Sequence, residues 1–186
     1  MVHDLDNDMK QNFTNLQDKD KNKQYEAYEN IMKAIKLPVD WAYEVWDELI
    51  DGLTSKDNHT RSRSAQFLAH LAISDPQERM LDDFSKVWEV TMDEKFVTAR
   101  HSLQAIWRVG LAGTAQKDVL VSNLVNRYKQ CENEKNYTLI RFDIIQNLKH
   151  LYDALSDEQL KEHALELIEL ETDEKYKKKY SKIWDS

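Results

Sequence analysis

The sequence predicts an all-α chain built as a stack of helical hairpins, and three observations carry that prediction. Only three glycines and two prolines occur in 186 residues, which leaves little material for tight hairpin turns and favours helices. Apolar residues recur at steps of three and four through nearly the whole chain, the period of one helix face. An arginine-led amphipathic segment also appears three times, at Ser62–Leu71, Ala99–Trp107 and Ile140–Leu148. Its arginines, Arg63, Arg100 and Arg141, lie 37 and then 41 residues apart. A period near 40 in a helical chain is the mark of stacked helix pairs.

Residues 1–20 hold five aspartates and little apolar content beyond Met9, Phe13 and Leu16. They are expected to be a flexible segment carrying at most one short docked helix, with residues 21–186 as a single domain. The spacing of Tyr25, Tyr28, Ile31, Met32 and Ile35 predicts a helix from Lys21 to Lys36, stopped by Leu37-Pro38 because the residue before proline leaves the helical region. Pro38 suits the opening turn of the next helix, which places Trp41, Val45, Trp46, Leu49, Ile50 and Leu53 on one side. The first arginine-marked helix then runs from about His59 to Ile73.

Asp75-Pro76 reads as an N-cap with proline at the first helical position, opening a helix through Met80, Phe84, Val87, Trp88 and Met92. The second marked helix is expected from Lys95 to Val109, released near Gly110 and Gly113. Thr114 is expected to cap a helix through Leu120, Leu124 and Tyr128. The third marked helix spans Tyr137 to about Ala154. Ser156 with Gln159 forms a capping-box pattern for the following helix, and Lys175 to Trp184 closes the chain. Asp93-Glu94-Lys95-Phe96 and Asp173-Glu174-Lys175-Tyr176 look like one link used twice, which predicts a shortened fourth hairpin.

Charge is sorted by helix. The first helices of the pairs, with their links, carry a net −16, while the marked helices and the last one carry +12, inside a chain of net −8. A cationic layer in an acidic protein points to an anionic partner, since a concave surface of one sign focuses its field. The overall acidity by itself disfavours nucleic acid. No stretch approaches 18 apolar residues, so no membrane span is expected. A single cysteine, Cys131, and no export-like leader make the cytoplasm the expected compartment.

The unit formed by a first helix, a polar link carrying an acid, and a second helix opening on Arg resembles the HEAT repeat of the armadillo-like helical superfamily. The matching residues are Asp57 with Arg63, Glu94 with Arg100, and Glu134 with Arg141. The resemblance covers about Asp40 to Trp184 and implies an α-α superhelix, a HEAT-like solenoid of about four hairpins. Its first helices would form the convex layer and its second helices the concave one. It also implies that these acids and arginines form a structural ladder between neighbouring units. The remaining inner cations (Arg61, Lys95, Arg108, Lys149) are candidates for partner binding, with Trp107 beside Arg108 as an aromatic anchor.

Chemistry-bearing motifs are absent from the sequence. His70, His101 and His150 lie on inner helices at different positions relative to the marker arginines. No His-Glu-x-x-His or paired Cys/His spacing occurs, so neither metal nor cofactor is expected. A more distant resemblance is to the HEAT-like DNA alkylation repair glycosylases, whose site is an inner-face aspartate with tryptophan and arginine neighbours. Here the only inner-helix acid is Asp143, and no Trp-x-x-x-Asp accompanies it. The expected function is therefore a non-enzymatic scaffold binding an acidic protein segment on its basic face. The alternative is a nucleic-acid-binding protein related to those glycosylases, with Asp143 in the catalytic position.

Overall fold

The computed structural model describes residues 5–185, and among them every regular element is helical. The helices are α1 (Asn7–Asn15), α2 (Lys21–Ile35), α3 (Ala42–Gly52), α4 (Asn58–Leu71), α5 (Arg79–Val90), α6 (Phe96–Ala105), α7 (Thr114–Gln130), α8 (Tyr137–Leu155), α9 (Glu158–Glu169) and α10 (Glu174–Asp185). Short 3-10 turns extend three of them, at Ala72–Ser74, Ile106–Leu111 and Cys131–Asn133.

The helices form two rows. In the even-numbered row, α4 packs between α2 and α6, and α8 between α6 and α10. In the odd-numbered row, α5 touches α3 and α7, and α7 touches α9. Each odd helix also packs against the even helix that follows it, so the chain is a stack of hairpins whose contacts run to neighbouring units. The core lies between the rows, where Trp46, Phe67, Leu68, Met80, Ile106, Leu120, Leu124 and Tyr128 are fully buried.

The amino-terminal segment adds a hairpin to the four expected. Its residues 1–4 lie outside the described residues, but from Leu5 on it is docked. Leu5 and Leu16 are buried, and Phe13 meets Trp41 and Phe67 edge-on at 6.0 and 6.1 Å. Asp6 caps α1 by accepting from Met9 N at 2.8 Å. Leu5, Met9, Phe13 and Leu16 thus seat a short helix on the stack, despite the acidic composition around them.

Several starts differ from the sequence expectation. Helix α5 begins at Arg79, not at Pro76, because Asp75 reaches over the intervening turn and accepts from Arg79 N and Met80 N at 2.9 and 2.8 Å. The cap of α9 is Asp157, accepting from Gln159 N at 3.0 Å. Ser156 instead ends α8 in the left-handed region, at φ 53°. Helix α3 begins at Ala42, with Pro38 in the link before it. In both copies of the repeated link the aspartate accepts from the backbone just ahead of it, Asp93 from Lys95 N two residues on and Asp173 from Tyr176 N three residues on.

Gly110 marks a close approach and not a chain release. A Cβ there would lie 2.6 Å from Leu151 Cδ2 and 3.2 Å from Leu120 Cδ2, and both leucines are fully buried. Gly110→Ala is expected to destabilise the protein by about 1–3 kcal/mol through overpacking, measured as a lower urea midpoint at unchanged slope.

Candidate functional site on the even-numbered row

The arginine ladder exists, with different acids from those the resemblance implies. Arg100 grips Asp143 with two bonds of 2.9 Å, from Nε and Nη2. Arg141 donates to Glu171 Oε1 at 3.3 Å and to the Tyr128 carbonyl at 3.0 Å. Its guanidinium also stacks over the Tyr128 and Tyr137 rings, at 4.5 and 5.2 Å. Arg63 instead holds the amino-terminal hairpin, donating to Leu16 O and Gln24 Oε1 at 3.1 Å each. The expected acids are occupied elsewhere or exposed. Asp57 caps its own helix through His59 N and Thr60 N, Glu134 pairs with Arg127, and Glu94 is exposed.

These exchanges have a physical cause. An acid in a link can spend its oxygens on the free N–H groups of the helix it precedes, as Asp57 does, although Asp93 meets both Lys95 N and Arg61. The acids that meet Arg100 and Arg141 are those with almost no exposure, Asp143 and Glu171, at 2% each. Buried carboxylates need a cation as partner.

Two of the expected partner-binding cations also belong to this framework. Arg61 donates to both oxygens of Asp93, at 2.6 and 3.0 Å, and to the Ser55 and Lys56 carbonyls. The Arg61 guanidinium holds the Asp93 carboxyl below its ordinary range. Lys149 pairs with Asp153 at 3.1 Å and lies over the Tyr152 and Trp184 rings. Lys95 is exposed at the opening of α6, about 20 Å along the helix axis from Arg108 at the usual rise per residue.

Asp143 is likewise bound into this framework. It is 2% exposed, both its oxygens serve Arg100, and Gln104 adds a third bond at 3.3 Å. A glycosylase base must meet its substrate, and this carboxylate meets only its own fold.

Arg108 and Trp107 remain, and they stand on an open cleft. They lie on the 3-10 turn that follows α6, packed against α8. The cleft, about 300 Å³ in volume, is lined by Tyr28 and Met32 from α2, Gln66 and His70 from α4, and His101, Gln104, Trp107 and Arg108. It adjoins a second cleft of about 320 Å³ that shares Tyr28, Gln66 and His101 and adds Lys21, His59 and Arg63. Neither lining includes an aspartate or glutamate. Glu29 lies beside Tyr25 and Tyr28.

Arg108 is half-buried, and its guanidinium lies 4.7 Å over the Trp107 ring. Trp107 is backed in turn by His150 at 5.0 Å, nearly parallel. Every other arginine donates to at least one oxygen, whereas Arg108 has no hydrogen bond or ion pair among the described residues. Burial without a counter-ion pulls the Arg108 pKa down.

His70, 4% exposed, is its neighbour in the cleft. Its Nδ1 lies 2.8 Å from the Gln66 carbonyl, which can only accept, so Nδ1 carries the proton and Nε2 is a bare acceptor. Burial first, and then the Arg108 charge, push its pKa down to about 4. The Gln66 side chain is fixed at both ends: its Oε1 accepts from the Tyr28 hydroxyl and its Nε2 donates to Ser62 Oγ at 2.9 Å.

By sequence register His70, His101 and His150 do not stack. The structure nevertheless brings His70 and His101 to one cleft and sets His150 behind Trp107. Among the described residues no group of three His, Cys, Asp or Glu side chains could hold a metal, and no helix is long and apolar enough to cross a membrane. Cys131 is buried, and burial raises its thiol pKa.

Fold and cleft together define an all-helical stack of hairpins with one arginine, among the described residues, that has no hydrogen-bonded or ion-paired partner. Compared with protein-family models, with curated proteins and with solved structures, the chain matches none.

Proposed function

We propose that the chain is a HEAT-like α-solenoid of the cytoplasm that binds an anionic segment of another protein on its even-numbered, concave row. In this reading it is an interaction module and not an enzyme. The observation that carries the reading is Arg108: a half-buried guanidinium with no carboxylate in reach, in a cleft with no acidic lining. The other interior arginines have acceptors and serve the stack. An uncompensated, partly desolvated charge costs the free protein stability, and a bound anion would offset that cost with charge-assisted hydrogen bonds. Trp107 holds the guanidinium in place and offers an apolar face beside it.

Two measurements follow from this reading. Arg108→Met removes a charge that nothing in the free protein neutralises, so stability is expected to stay level or rise by roughly 1 kcal/mol, seen in thermal unfolding without ligand. A clear loss of stability would mean that Arg108 is structural. For binding, a fluorescein-labelled glutamate-rich peptide titrated into the protein should give a saturable anisotropy change that weakens with salt and is lost in Arg108→Glu. Equal binding by wild type and variant would end the proposal. Binding of mixed-sequence duplex DNA instead, with the same loss in Arg108→Glu, would favour nucleic acid as the ligand.

A further inference from the structure

The same cleft holds a second unfulfilled group, and together the two specify more than negative charge. Arg108 offers several N–H donors with no acceptor. His70 offers the Nε2 lone pair with no donor, on a side chain more than nine-tenths buried, its other nitrogen fixed on the Gln66 carbonyl. The two are close enough for the Arg108 charge to act on the imidazole, and both border the same space of about 300 Å³. Gln66, also in the lining, has its amide held in place by Tyr28 and Ser62.

A ligand that satisfies both groups must be anionic toward the guanidinium and must also donate a hydrogen bond. A carboxylate meets the first demand only, because it is acceptor-only when ionised. A carboxamide donates and accepts but leaves the Arg108 charge without a counter-ion. A phosphate monoester does both near neutral pH, where its second pKa of about 6 keeps a fraction as the monoanion with one P–OH. Resting on the proposed binding of a protein segment here, we propose that the group seated between Arg108 and His70 is a phosphorylated side chain of the partner. The phosphate oxygens accept from the Arg108 fork, the P–OH donates to His70 Nε2, and Trp107 and Tyr28 flank the ester. Partner binding would thereby depend on phosphorylation of the partner.

Four small probes titrated into the full chain test this, followed by the histidine ring C–H and Trp107 indole NMR signals. They are phenyl phosphate (anion and donor), benzoate (anion only), benzamide (donor and acceptor without charge) and adenosine 5′-monophosphate (the same phosphate on a nucleotide). Phenyl phosphate is expected to shift His70 and Trp107 and to bind about tenfold or more tighter than benzoate, the worth of one added hydrogen bond to a charged group. That binding should be lost in Arg108→Ala, whose thermal unfolding shows whether it remains folded. Equal binding of benzoate would overturn the phosphate assignment and leave the anionic-segment reading standing. Tightest binding by the nucleotide would overturn the protein source of the phosphate. Preference for benzamide, or no shift with any probe, would overturn both.

Discussion

Arg141→Leu is expected to cost the fold about 3–5 kcal/mol, the usual consequence of leaving one member of a buried ion pair without its partner. Glu171 has no side-chain exposure, against 5% for Arg141. After the substitution its carboxylate would keep two uncharged donors, the Tyr180 hydroxyl at 3.1 Å and the Asp173 N–H at 3.2 Å. The Tyr128 carbonyl would lose the Nε bond, and the Tyr128 and Tyr137 rings the cation lying over them. Tyr128 already has an unpartnered hydroxyl, so its surroundings have little means of compensation. The double substitution Arg141→Leu with Glu171→Leu should recover most of the loss, because replacing both members of a buried pair by apolar groups is often close to neutral. Urea unfolding of the two single variants and the double variant checks this. Additive losses would show that the pair is not the joint between α8 and α10.

The second large effect concerns pH, and it falls on His70. Its pKa in the folded protein is about 4 against an ordinary 6.5, through burial and then the neighbouring Arg108 and Lys36 charges. The folded protein therefore refuses a proton that the unfolded chain accepts. The stability contributed by the neutral ring is complete above pH 6.5 and is lost as the pH falls toward 4. Linkage puts that loss at roughly 3 kcal/mol. Asp57, Asp93 and Asp157 sit below the ordinary carboxylate value of 3.8, so their support is withdrawn only below that window. His150 is also lowered, first by burial, and contributes in the same sense. The expected result is a fall in unfolding free energy between pH 7 and pH 4 that is largely absent in His70→Gln. An identical slope in the variant would show that the ring is protonated in the native state.

Much of the architecture is legible in the sequence because hairpin stacking is written in short-range periodicity. The 3- and 4-residue steps, the 37- and 41-residue arginine spacing and the twice-used link all survive into the structure. The docked α1 was harder to read. Its apolar residues are few, and their value depends on Trp41 and Phe67 waiting in other hairpins. The ladder acids were misread for a similar reason. Asp57, Glu94 and Glu134 stand in the links where a repeat pattern looks for them, but side-chain reach and local capping decide which carboxylate an arginine meets. A clue was present for Glu171, which continues the apolar stripe of Leu160, Ala164, Leu167 and Ile168 and so was headed for burial. Asp143, set among Phe142, Ile144 and Ile145 on the third marked helix, carried the same signal.

The site was half legible. Trp107 beside Arg108 stood out in the sequence, but nothing there separates Arg108 from Arg61 or Lys149, which turn out to be paired. His70 was equally hidden, since its tautomer follows from a bond to Gln66 and its importance from the one arginine nearby. Charge counted by helix overstated the cationic face: Arg61, Arg100 and Arg141 are neutralised inside the stack, and the cleft is distinguished by the acids its lining lacks.

The central claim is that an anion docks on the even-numbered row at Arg108. Backbone hydrogen exchange, with and without a saturating glutamate-rich phosphopeptide, tests it most directly. Slowed exchange confined to α2, α4, α6 and the Ile106–Leu111 turn is the predicted result, and it should vanish in Arg108→Glu. Protection on the odd-numbered row, around α7 and α9, or protection that persists in the variant, would contradict it.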